Sequence, residues 1–207
     1  MKNIFNMDNK LFIYLSKVAD LMLLNILFIL CCLPIITIGA SLTSLSYVTL
    51  KMNQNEETYI IKEFFSSFKS NFKQATILWL LFFFLNLFFA ADLIILNHIT
   101  IPFSIIFTYI IQLLCIFSFI SMIYVFPLLA KFENSITGTL KNAFFIAIKH
   151  LPWTIVLLTL YLSPLILLMW NFSTIVHLLL LFCFIGFSLT AYLSSYIFHK
   201  IFSRYIH

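Results

Sequence analysis

Four stretches of this chain contain no aspartate, glutamate, lysine or arginine: 21–50, 74–91, 93–130 and 150–199. A bilayer crossing needs about 20 apolar residues to bridge a hydrocarbon core about 30 Å thick. A soluble domain could not keep its surface hydrated around runs of that length. Across all 207 residues 63% are hydrophobic and only 9% are charged, which excludes the soluble and disordered classes. The chain therefore reads as an all-α, polytopic integral membrane helical bundle, a single transmembrane domain over 1–207.

The charge-free stretches also give the number of crossings. The last one holds two spans, 152–170 and 174–199, separated at Trp170-Asn171-Phe172-Ser173-Thr174. The middle two are joined only by Asp92 and read as spans at 75–97 and 103–130, with a turn at 97–102 ending in Pro102. The first stretch is too long for one straight crossing and short for two, and Pro34 and Gly39 interrupt it.

Lysine placement decides between a kinked helix and a hairpin. With spans at 18–36 and 40–54, all 12 basic residues fall on one side, and the three turns on the other side carry none. The positive-inside rule makes that basic side cytoplasmic, so six spans are expected, with both termini inside a plasma membrane. The net charge of +5 does not point to nucleic acid, because the basic residues sit between apolar spans and not along one soluble face. The basic start and Ile38-Gly39-Ala40 loosely resemble a signal peptide, but Ile38 is bulky where cleavage wants a small residue, so the segment is expected to stay.

Two loops carry an amphipathic pattern. Over 56–73, Ile60, Phe64, Phe68 and Phe72 repeat every four residues, while Lys62, Glu63, Ser66, Lys69 and Lys73 fill the opposite face. That predicts an interfacial helix with phenylalanines in the acyl boundary and lysines toward phosphates. A weaker version covers 136–150, with Ile136, Leu140, Phe144 and Ile148 on one face and Lys141 and Lys149 beside them. The segments correspond at an offset of 80 positions, where Lys51 meets Lys131, Phe64 meets Phe144, Phe65 meets Phe145 and Lys69 meets Lys149. The shared order of inward span, charged turn, elbow and outward span suggests a parallel internal repeat.

The same segments carry a family likeness. Leu33-Pro34-Ile35-Ile36-Thr37-Ile38-Gly39-Ala40 resembles the signature of the YesL family of bacterial membrane proteins. It is followed by Tyr47-Val48-Thr49-Leu50-Lys51, Glu56-Glu57, Phe64-Phe65, Phe68, Asn71-Phe72-Lys73-Gln74-Ala75 and Trp79. In the second loop Lys131-Phe132-Glu133-Asn134-Ser135, Leu140-Lys141-Asn142-Ala143 and Leu151-Pro152-Trp153-Thr154 fit as well. Ser44 departs from an alanine common in the family. The resemblance implies a protein of Gram-positive bacteria, of undefined function, associated with sugar uptake and polysaccharide breakdown. It implies no catalytic residues.

Candidate chemistry is sparse. Asp92 stands some 25 Å along the third span from residue 75, and an intramembrane charge is a functional candidate by default. His98 and His177 fall on the same outer side, without the spacing of a metal site. Asn25, Asn86 and Gln112 lie within spans, where interhelical hydrogen bonds would explain them. Ser41, Thr43, Ser44, Ser46 and Thr49 crowd the second span, as close-packing residues or as a hydroxyl-lined path.

The four cysteines all lie in apolar runs, so neither a disulfide framework nor a zinc site is indicated. No hydrolase, metalloprotease or phosphate-loop motif occurs. The expectation is a non-enzymatic membrane protein without cofactor or metal. Its elbows (Phe64, Phe68, Phe72, Lys69, Phe144, Lys149) would dock a membrane partner such as a carbohydrate importer. The alternative is a small permease using Asp92 and the hydroxyl-rich span.

Overall fold

The computed structural model describes residues 10–54, 56, 59–98, 104–170 and 174–205. Every regular element among them is helical. In chain order these are α1 (Lys10–Cys32), a 3₁₀ turn (Ile35–Thr37), α2 (Ile38–Asn53), α3 (Ile60–His98) and α4 (Ser104–Lys131). Then come α5 (Ile136–Lys149), α6 (Leu151–Trp170), α7 (Thr174–Leu181), a π-helical turn (Phe182–Gly186) and α8 (Phe187–Phe202).

Five helices are long and apolar enough to cross a membrane. The pair α5 and α6, bent by 102° at their junction, makes up to a sixth. This is a multi-pass membrane protein. The turn expected at 97–102 and the break at 170–174 fall largely outside the described residues.

The stretch 18–54 forms two helices. Proline lacks an N–H and pushes the residue before it out of the helical region, so α1 ends just ahead of Leu33-Pro34. The Thr37 hydroxyl then donates to the Cys31 carbonyl (2.6 Å), which the interrupted helix leaves open, and to the Pro34 carbonyl (2.8 Å), which also accepts the Thr37 N–H.

α2 is the centre of the bundle, packed against α1, α3, α4 and α8. Its position follows from its composition, because small side chains let neighbouring helices approach closely on several sides. Ser41, Thr43, Ser44, Ser46 and Thr49 each donate to the carbonyl four residues back, at 2.8–3.0 Å. All but Ser46 are buried. Gly39 lets α3 come close: a Cβ there would collide with the Ala75 carbonyl and stand 2.6 Å from Trp79 Cβ. The small-residue spacing of α2 thus works as a packing device.

Two apolar clusters flank α2. One joins Ala40 and Leu50 to Ala75, Leu78, Tyr124, Leu128, Phe198 and Phe202. The other joins Leu45, Val48 and Met52 to Leu21, Leu24, Phe28, Ile60 and Phe64. The outward faces of α3 and α4 carry exposed Phe84, Leu87, Phe88, Ile106, Phe107 and Leu113, as lipid-facing surfaces should.

The first elbow is corrected by the structure. Residues 60–73 do not form a separate interfacial helix but open α3, which runs for 39 residues, about 58 Å along its axis. Nothing in 60–98 is a proline or a glycine, so no residue is available to stop the helix. The second amphipathic segment forms α5 over Ile136–Lys149, capped by Ser135, whose hydroxyl accepts the Gly138 N–H. The suggested repeat therefore differs between its halves, being uninterrupted in α3 and broken between α5 and α6.

Candidate functional site at the charged end

The lysines of α2, α3 and α4 meet at one end of the bundle. Lys51, near the end of α2, forms an ion pair with Glu63 at 3.1 Å and lies 5.0 Å from the centre of the Tyr47 ring. Next to it, a cleft of about 560 Å³ opens between Tyr47, Asn71, Lys73, Gln74, Lys131 and Glu133. A smaller cleft of about 240 Å³ shares Tyr47, Ala130 and Lys131 with it and reaches Lys51, Gln54 and Glu56. Gln54 Nε2 and His199 Nδ1 lie 3.2 Å apart, tying the end of α2 to α8. Sequence reading missed this convergence, although Lys51, Lys73 and Lys131 each adjoin a charge-free run.

The docking candidates separate by exposure. Phe64 is fully buried against α1 and α2, so it has no acyl or partner surface to offer, contrary to expectation. Phe68 is half-buried, with its ring centre 6.2 Å from that of Phe64 and 5.6 Å from that of Phe72. Phe72 is exposed, as are Lys69, Ile61, Lys62 and Phe65 around the same flank of α3.

On α5 the face buried in the protein is Thr139, Ala143, Ile146 and Ala147. Phe144 is exposed, with its ring 6.0 Å from Phe117 of α4. Beside it Phe145 and Ile148 are exposed too. Lys149 is exposed and holds its ammonium 5.1 Å from the Tyr205 ring centre.

The α5–α6 junction is held by polar contacts. The Thr154 hydroxyl donates to the Ala147 carbonyl at 2.8 Å, an acceptor that the bend takes away from the normal helical ladder. Tyr124 of α4 lies 2.8 Å from the same hydroxyl, and His150 lies 3.1 Å from the Tyr205 hydroxyl. The Lys200 ammonium sits 4.7 Å from the Trp153 ring centre. Tyr124 did not stand out in the sequence, because a bend's polar partners need not be near it in the chain.

The intramembrane candidates do not converge. Asn25 is fully buried and clamps the π turn: its amide donates to the carbonyls of Phe182 (2.9 Å) and Cys183 (2.8 Å), and its oxygen accepts the Ser188 N–H (3.0 Å). A π turn widens the helix and strands such groups, and Asn25 pairs them. Asn86 joins α3 to α4, donating to Ser118 at 3.0 Å and accepting from Cys115 at 3.7 Å. Gln112 is exposed on α4 and makes no hydrogen bond to the described residues.

Asp92 is half-exposed on α3, and no ion pair or hydrogen bond joins it to the described residues. It lies about 29 Å along α3 from Lys73, roughly one hydrocarbon thickness. Counted from Lys73, Asp92 thus stands at the far end of a bilayer-length stretch of α3 and not at its middle. His177 is exposed on α7, and the His98 side chain lies outside the described residues. Among the described residues no three His, Cys, Asp or Glu side chains gather as metal ligands, and the four cysteines are free.

A family described as "Protein of unknown function, DUF624" matches residues 21–93, about a third of the chain. The match runs through most of α1, all of α2 and most of α3, and it takes in Gly39, the Lys51–Glu63 pair and Lys73. It stops short of α4, α5 and Lys131. No curated protein and no solved structure matches the chain. The protein is thus similar to this family over its first three helices.

Proposed function

We propose that this chain is a non-enzymatic membrane protein that docks a membrane partner at its charged end. The observation carrying the proposal is the flank of α3 that α1 and α2 leave uncovered. There Ile61, Phe65 and Phe72 are exposed beside Lys62 and Lys69. A helix that buries Phe64 on one side and still presents aromatic rings on the other has one face more than its own core uses. Exposed Phe145 and Ile148 of α5 add a second apolar surface at the same end.

The link to carbohydrate uptake, the partner as an importer, the Gram-positive plasma membrane and the cytoplasmic placement of the charged end all belong to this proposal. They rest on the resemblance to the YesL family and on lysine placement.

A permease reading has less to stand on. The hydroxyls of α2 are committed to their own backbone, and Asp92 lies at the far end of that bilayer-length stretch of α3.

The test is purification of the tagged protein in a gentle detergent with identification of what co-elutes. The expected result is an importer subunit in near-equal amount, lost in Phe65→Ser/Phe72→Ser while the variant still inserts and remains helical. A protein that elutes alone, or a partner retained by that variant, overturns the docking reading.

A further inference from the structure

We propose that the cleft between Tyr47, Lys73 and Lys131 seats the headgroup of an anionic phospholipid with a hydroxylated headgroup, of the phosphatidylglycerol class. The first argument is depth. Lys73 is the last charge on α3 before the charge-free run 74–91, and Lys131 is the first charge after the run 93–130. Both ammonium groups therefore stand where hydrocarbon gives way to headgroups, and the cleft between them lies at phosphate level.

The second argument is pairing. The neighbouring Lys51 is neutralised by Glu63 and covered by Tyr47. Lys73 and Lys131 have no ion pair, hydrogen bond or ring contact with the described residues, so two cations without an ion-pair partner face one cleft against the single carboxylate of Glu133. A phosphodiester is the anion available in quantity at that depth.

The third argument is the rest of the lining. Gln74 and Asn134 offer amide groups, and the exposed Glu133 offers a carboxylate. A bare phosphate gains nothing from Glu133, whereas the hydroxyls of a glycerol headgroup donate to it. Leu129, Ala130 and Phe132 supply an apolar wall for the glycerol backbone. The volume of about 560 Å³ falls within the usual range for a small-molecule site.

The experiment is native mass spectrometry of the detergent-purified full chain titrated with phosphatidylglycerol or phosphatidylcholine. The parent should retain phosphatidylglycerol at least fivefold better, and Lys73→Gln/Lys131→Gln should reduce that preference to less than twofold. Lys141→Gln/Arg204→Gln, which removes two exposed cations elsewhere, should leave it unchanged. Equal retention of the two lipids by the parent overturns the proposal without any variant. So does a preserved preference in Lys73→Gln/Lys131→Gln that elutes and stays helical like the parent. Displacement of the lipid by millimolar glycerol phosphate or inorganic phosphate would assign the cleft to a soluble phosphate compound and overturn the lipid source.

Discussion

The start of α3 and the α5–α6 junction are alike in sequence and opposite in structure. At an offset of 80 positions Phe64-Phe65 matches Phe144-Phe145 and Lys69 matches Lys149. Yet α3 continues through its matching region without a break, while the second segment turns by 102°. Three positions after the matched lysines, Phe72 stands in one segment and Pro152 in the other. Proline has no N–H for the carbonyl four residues back and its ring clashes with that carbonyl, so it sits best in the first turn of a new helix, as Pro152 does in α6, although α4 and α6 run on through Pro127 and Pro164. The amphipathic pattern decides that a helix forms with two unlike faces. Whether that helix continues is decided at the junction, where Pro152 and the contacts of Thr154 with Ala147 and Tyr124 have no counterpart in α3.

Substitutions at these positions test the comparison directly, and the largest effect is expected from Phe72→Pro. It should break α3 at its unbroken counterpart of the junction, at a cost of about 3 kcal/mol. Spin labels at positions 62 and 88, about 39 Å apart along an intact helix, should move closer together. An unchanged distance would show that packing on α2, and not the missing proline, keeps α3 whole.

Next comes Thr154→Val, which leaves the Ala147 carbonyl and the Tyr124 hydroxyl without their shared partner. A loss of about 1–2 kcal/mol is expected in reversible unfolding in detergent. A loss below a few tenths would mean that the bend needs no polar lock.

The smallest effect belongs to Pro152→Phe. Stability should change by less than about 1 kcal/mol, with the bend kept by Thr154 and Tyr124. If labels on either side of His150 move apart to a straight-helix distance, proline alone sets the junction.

Much of the architecture was legible because lipid imposes simple rules. Charge-free runs marked the long apolar helices, Pro34 gave the end of α1, and the hydroxyls of α2 stood open between close packing and a solute path until their carbonyl partners were seen. The continuity of α3 was misread from the lysines of 62–73, which suggested a surface segment. A helix can carry charge at one end and still pass into the membrane, and the absence of a breaker between Ile60 and His98 was the better signal.

The role of Phe64 was not legible at all. Periodicity reports an apolar face, but not whether lipid or protein covers it. The lysine cleft was hidden for a related reason, since Tyr47, Lys73 and Lys131 come together only once three helices pack. Asn25 was expected to bond between helices, but its partners lie 157 and more positions away, beyond any local pattern.

That long reach has a consequence for how the chain is made. The first helix enters the bilayer before the last one has been synthesised, so the Asn25 amide spends that interval without Phe182, Cys183 and Ser188. An unpaired amide in hydrocarbon costs several kcal/mol, and α2 meanwhile lacks α8 along one side. The early helices must therefore wait, hydrated or shielded by the insertion machinery, until the final crossing arrives. Truncation anywhere before the π turn should leave a product that inserts but is recognised as unfinished and degraded.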